Sequence, residues 1–226
     1  MLQEQAVSPH LLASLRNLIG ASALNEFRLV GGTALTLYLG HRIFDDVDLF
    51  TDNREVPILE LKSILAKDYK CRIKDEYIDF LEGNCFGFSC NDKKIRYDIQ
   101  IKSTKFIDPP QHIDGIRLAS LRDIAISKLY AITERVTKRD YIDLYYLQGA
   151  IDIADVFSNG FFSVFPPEKA KRVLASLASS SDVMNNALKM PKMISELDIK
   201  QLSSTLTLVA RNCYESRKTK KVMVNS

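Results

Sequence analysis

The chain has 226 residues, 46% of them hydrophobic and 26% charged, with 31 Lys and Arg against 28 Asp and Glu for a formal net charge of +3. That apolar fraction excludes intrinsic disorder, the near-balance excludes a uniformly cationic nucleic-acid sleeve, and the length supports a core without disulfide or metal staples. No apolar run approaches the ~20 residues that span a bilayer, because Asp143, Asp152 and Asp155 break the richest stretch.

In chain order, Ser8 and Pro9 supply an N-cap and a first-turn proline. Leu11, Leu12, Leu15, Leu18 and Ile19 then recur at helical spacing, which predicts an amphipathic helix within 8–26. Residues 27–30 read as a short strand ending in Gly31-Gly32, and 33–39 as a short helix closed by Gly40. A second strand is expected at 47–51 and a helix at 56–69. Strand-like runs at 71–81, 85–90 and 94–101, separated by the turn compositions Glu82-Gly83-Asn84 and Asn91-Asp92, complete a mixed sheet.

Residues 102–116, with Pro109-Pro110 and Gly115, read as irregular and as a boundary. The expected organisation is an α/β domain over 1–108, a helical domain over 109–216 and a frayed basic tail over 217–226. Helices are expected at 120–134, 138–149, 167–179 and 198–215, in a region with no glycine after Gly160. The fold class is therefore α+β. The N-terminus carries Glu4 and no basic stretch ahead of an apolar core, so no signal peptide is expected, and the cytoplasm is the expected location. The four cysteines form no CxxC pair and the three histidines no ligand spacing, which favours free thiols over a zinc site.

The sharpest local feature is the acidic run 45–48. Asp46 and Asp48 are two apart on a strand, so both project to one face while Val47 and Leu49 enter the core from the other. Paired carboxylates stay ionised at neutral pH when a cation compensates them, and hard oxygen donors on a rigid strand suit Mg²⁺ with phosphate co-ligands. A solvated strand end is the competing reading. At Gly31, Gly32 and Thr33 a closely approaching backbone, helix N-terminal amides and a hydroxyl favour a phosphate, although a tight turn explains the glycines equally well.

Residues 96–102 alternate, with Tyr97, Ile99 and Ile101 on one face and Asp98 and Gln100 on the other. If that strand lies beside 47–51, Asp98 completes a triad able to hold metal or to take a proton from an attacking hydroxyl. Lys128 and Arg135, seven apart, share a helix face suited to a triphosphate or a nucleic-acid backbone. Glu134–Lys138 and Arg139–Asp143 fit ordinary i,i+4 ion pairs.

Taken together, Gly31-Gly32-Thr33-Ala34-Leu35, Gly40-His41-Arg42, Asp46-Val47-Asp48-Leu49-Phe50, Leu118-Ala119-Ser120-Leu121-Arg122-Asp123-Ile124, Lys128-Leu129-Tyr130-Ala131 and Lys138-Arg139-Asp140-Tyr141-Ile142-Asp143-Leu144 resemble the AbiEii/AbiGii toxin family. That family belongs to the polymerase-beta-like nucleotidyltransferases, and the resemblance covers about residues 25–150. It implies a nucleotidyltransferase sheet followed by helices, and Mg²⁺-dependent transfer of a nucleotide from a nucleoside triphosphate to an acceptor hydroxyl. It implies RNA, tRNA above all, as the acceptor, and a toxin with a cognate antitoxin encoded nearby, in a bacterial toxin–antitoxin or phage-defence system.

Residue by residue, Gly32 and Thr33 match the family's triphosphate grip, flanked by Gly31 and by Arg42 of the His-Arg pair. Asp46 and Asp48 match its metal pair, Lys128 its lysine and Asp143 its downstream aspartate. Asp98 matches the third carboxylate by strand position only. One departure stands out: the family's serine between the arginine and the acidic pair is Phe44 here. Transfer to a small molecule or protein, and a non-catalytic nucleotide- or RNA-binding module on a degenerate fold, are the alternatives. The small net charge hides opposed patches, with four acids and no base in 43–53 against five bases and two acids in 89–105.

Overall fold

The computed structural model describes residues 1–67, 72–79, 85–92, 95–102 and 104–224. The turn expected at 82–84 lies outside them, as do residues 71, 80 and 81 of the strand expected at 71–81. The chain divides into two compact units, Met1–Ser120 and Leu121–Ser226.

In the first unit, α1 (Pro9–Ile19) is capped by Ser8, whose Oγ accepts from the Leu11 amide at 3.1 Å, and it buries Leu11, Leu15, Leu18 and Ile19. β1 (Arg28–Leu29) runs into α2 (Gly31–Leu39). The glycines expected as a turn ahead of that helix are its first residues. Gly40, at φ +64, ends α2 with its amide on Thr36 O at 2.8 Å. Then follow β2 (Asp46–Thr51), α3 (Ile58–Lys67), β3 (Arg72–Asp79), β4 (Cys85–Asp92) and β5 (Ile95–Ile101).

The stretch expected to be irregular contains a hairpin. Asp114 (φ 50) and Gly115 (φ 77) turn β6 (Gln111–Ile113) into β7 (Ile116–Leu118), and Pro109-Pro110 precede it rather than interrupt it. Leu118 pairs with Leu29 in parallel, which draws 109–120 into the first unit. The division therefore falls after Ser120 and not after residue 108.

The seven strands form one mixed sheet in the order β3-β4-β5-β2-β1-β7-β6, parallel at β2/β5 and β1/β7. One face is core: Val47, Leu49 and Thr51 of β2 and Tyr97, Ile99 and Ile101 of β5 are buried. The Tyr97 hydroxyl donates to Ser14 Oγ at 2.6 Å, tying that face to α1. Alternation then forces the intervening polar residues to the opposite face.

The second unit is helical: α4 (Leu121–Glu134), α5 (Lys138–Ala150), α6 (Ile153–Val156), a π-helical turn (Phe157–Phe161), α7 (Phe162–Val164), α8 (Lys169–Ala178), α9 (Ser180–Asn185) and α10 (Ile199–Val224). Ile124, Leu129, Leu144, Leu147, Phe157, Phe161, Val173, Leu177, Leu202 and Leu206 make its core. The tail expected to fray at 217 instead continues α10 to Val224, since no proline or glycine follows Ile199 to stop it. Among the described residues no helix is long and apolar enough to cross a membrane.

Candidate active site

β5 lies parallel to β2 in a register that sets Asp98 level with Asp48 and Arg96 level with Asp46. Level residues on adjacent strands share a face, with backbones about 4.8 Å apart. Asp46, Asp48 and Asp98 therefore stand together on the face opposite the core, all three half-buried. The Asp98 carboxylate lies 4.0 Å from the Arg96 guanidinium, whose side chain is 59% exposed. Such a set of hard oxygen donors is the chemistry a divalent cation takes. Among the described residues, no three His, Cys, Asp or Glu side chains close into a single ion-holding group.

The start of α2 abuts this face. Gly31 adopts φ +65, and a Cβ there would collide with the Asp48 carboxylate, so glycine is required on both counts. A Cβ on Gly32 would come within 2.5 Å of the Phe44 ring and 2.6 Å of Arg42 Nη2. Arg42 is 1% exposed, and its guanidinium sits 4.7 Å from the Phe44 ring centre. The first helical hydrogen bond runs from Ala34 N to Val30 O at 3.3 Å, so the Gly32 and Thr33 amides precede the helical ladder. The Thr33 hydroxyl, expected to favour a phosphate, donates to the Asp46 carbonyl and ties α2 to β2.

In the helical unit, Lys128 is 6% exposed, with its ammonium 2.7 Å from Asp140 Oδ1 and 2.6 Å from Asp143 Oδ2. Asp140 also accepts from Arg135 Nε at 2.9 Å and from the Thr137 hydroxyl at 2.7 Å. Burial pushes the Asp140 carboxyl upward, but the Lys128 ammonium and the Arg135 guanidinium outweigh it and bring it down to about 2. Lys128 and Arg135 thus converge on one carboxylate rather than presenting a shared cationic stripe. The expected Glu134–Lys138 pair is replaced: Glu134 meets Lys169 at 2.6 Å, and Lys138 donates to the Asn186 carbonyl at 2.8 Å.

Two features escape a reading of spacing alone. Phe44 covering Gly32 beneath Arg42 depends on how the 40–45 segment folds back, and no periodicity signals that. Asp140 as an ionic hub is legible only in part, through Thr137 three residues before it, whose hydroxyl accepts the Asp140 amide at 3.3 Å as the cap of α5.

A family profile described as "Nucleotidyl transferase AbiEii toxin, Type IV TA system" matches residues 14–203. The protein aq_aa25 of Aquifex aeolicus (strain VF5) is 33% identical over 141 residues, 59% of this chain, and the match spans only 63% of that protein's length. Among solved structures, JHP933 from Helicobacter pylori is similar with a TM-score of 0.53 at 17% identity, over 97% of this chain and 98% of that one. MenT4, a nucleotidyltransferase toxin from Mycobacterium tuberculosis H37Rv, is similar with a TM-score of 0.52 at 13% identity, over 90% and 81%. At those identities the structural likeness is one of fold.

Proposed function

The chain belongs to the AbiEii nucleotidyl transferase toxin family of type IV toxin–antitoxin systems, and from that premise we propose that it moves a nucleotide from a nucleoside triphosphate to an acceptor hydroxyl on RNA, tRNA being the favoured acceptor. The observation that carries this reading is the level register of Asp48 and Asp98, with Asp46 on the same open face and the glycine start of α2 against Asp48. The donor chemistry fits Mg²⁺ held by Asp46 and Asp48, with Asp98 beside them. When bound, the ion neutralises charge on the transferring phosphoryl group.

The chain's own groups do the rest. The Gly31, Gly32 and Thr33 backbone at the head of α2 receives the triphosphate tail, where free amides and the helix dipole favour an anion. Arg42, fixed by Phe44, adds positive charge beside that turn. Asp98 takes the proton from the acceptor hydroxyl as it attacks phosphorus, and pyrophosphate leaves on the opposite side. Lys128 pairs with Asp140 and Asp143 and so orders α4 against α5 within the helical unit. The protein acts in the cytoplasm, and a cognate antitoxin restrains it.

The test is to incubate the protein with labelled nucleoside triphosphates, Mg²⁺ and total tRNA beside its Asp48→Asn variant. Label appears in tRNA with the native protein alone. Equal labelling by both overturns the site, label that needs no RNA assigns a small-molecule or protein acceptor, and bound but unconsumed triphosphate assigns a binding module.

A further inference from the structure

Beyond the three carboxylates the same sheet face changes character. Phe50 follows Asp48 by two residues, roughly 6.7 Å along the strand, and is half-buried on the same side. The β2/β5 ladder continues through Lys102 N on Thr51 O at 2.7 Å, so Lys102 follows Asp98 and Gln100 on that face. Its ammonium lies 4.8 Å from the Phe50 ring centre. Arg28, the cross-strand partner of Phe50 on β1, holds its guanidinium 4.1 Å over the Phe106 ring and donates to the Asp108 carbonyl at 2.6 Å. The segment bearing Phe106 is pinned to the end of β2, with Lys105 Nζ on Asp52 O at 3.2 Å and the Phe106 amide on the Asp52 carboxylate at 3.1 Å.

We propose that Phe50, Lys102, Arg28 and Phe106 form the subsite for the single-stranded end of the RNA acceptor. The inference rests on the nucleotidyl-transfer reading and deepens it. Single strands are held by aromatic rings that stack on any base, with cations along the phosphates, and here both lie on rigid strands or on a segment fastened to one. The occupant is acceptor rather than donor because the nucleotidyl-transfer reading gives the triphosphate to the head of α2, beside Asp48 and Asp46. In-line attack requires the incoming hydroxyl to arrive from the other side of the phosphorus, and Phe50 lies in that direction along β2.

The experiment measures equilibrium binding of a short fluorescent single-stranded RNA, a blunt RNA duplex and a nucleoside triphosphate to the full chain. Lys102→Met keeps the side-chain stem over Phe50 and removes the charge. It weakens the single strand several-fold and lowers the slope of log Kd against log salt by about one. Phe106→Leu weakens the single strand about tenfold. Triphosphate affinity is unchanged in both. Unaltered single-strand affinity and salt slope in Lys102→Met overturn the proposal, as does a loss that falls on the triphosphate, or tighter binding of the duplex than of the single strand. Binding is read without turnover, so an absence of transfer counts against the catalytic reading alone, and unaltered binding counts against the subsite alone.

Discussion

Asp140 and Asp143 in the helical unit are 1% and 0% exposed and meet Lys128 at 2.7 and 2.6 Å, whereas Asp46, Asp48 and Asp98 stand half-buried on one sheet face where Asp98 reaches Arg96 only at 4.0 Å. The residue types are the same and their exposure to water differs. Charges matched from within, away from water, hold a fold together and have little left to offer a ligand. Carboxylates set level on one sheet face, where water and a ligand can reach them, offer the hard oxygen donors that a divalent cation takes.

That contrast makes the helical cluster the place where a single change costs most stability. Lys128→Met takes the ammonium away from two buried carboxylates and is expected to lower unfolding free energy by about 3–5 kcal/mol in a urea titration. If it abolished transfer with stability untouched, the roles of the two clusters would be exchanged. Asp48→Asn should do the reverse, cutting nucleotide transfer by about 10²–10³-fold while leaving the thermal midpoint in place.

A pH titration sharpens the difference from another side. The Asp140 carboxyl is lowered to about 2 in the folded chain. Its contribution is therefore present above the unfolded value near 4 and is lost as pH falls from about 4 toward 2. That loss amounts to about 2 kcal/mol, and it should be missing from the urea-unfolding curves of Asp140→Asn over the same range. Gly31→Ala forces a β-carbon into a left-handed backbone and against Asp48. A stability loss of about 1–2 kcal/mol is expected, together with weaker triphosphate binding by calorimetry. The smallest effect belongs to Arg135→Ala, whose side chain is 61% exposed, with less than about 1 kcal/mol lost in the same unfolding assay.

Much of this is legible in the sequence. The Ser8-Pro9 start of α1, the alternation that sets Asp46 and Asp48 on the face opposite buried Val47 and Leu49, and the long helices from Leu121 onward follow from local rules of capping and period. The hairpin Gln111–Leu118 was hidden because two prolines stand before it and its strands are three residues each, too short for alternation to register. The short turns of helix within 153–164 carry no clear period either, and their surroundings are aromatic, with Phe157, Phe161 and Phe162 in mutual ring contact and Tyr130 stacked on Phe165 at 4.2 Å.

The amino-acid order by itself determined which residues face together within one element, because backbone periodicity is a local property. It determined that Asp46 and Asp48 are neighbours on one strand face and that a glycine pair stands between a strand and a helix. Only the tertiary structure decided what those faces meet: Asp98 level with Asp48 across a parallel pairing, Phe44 and Arg42 folded over Gly32, and Lys128 spent on Asp140 and Asp143 rather than held out to solvent. Each of these contacts joins residues brought together by strand register, a loop's return or the packing of two helices, and such contacts depend on the whole fold rather than on any one window of sequence.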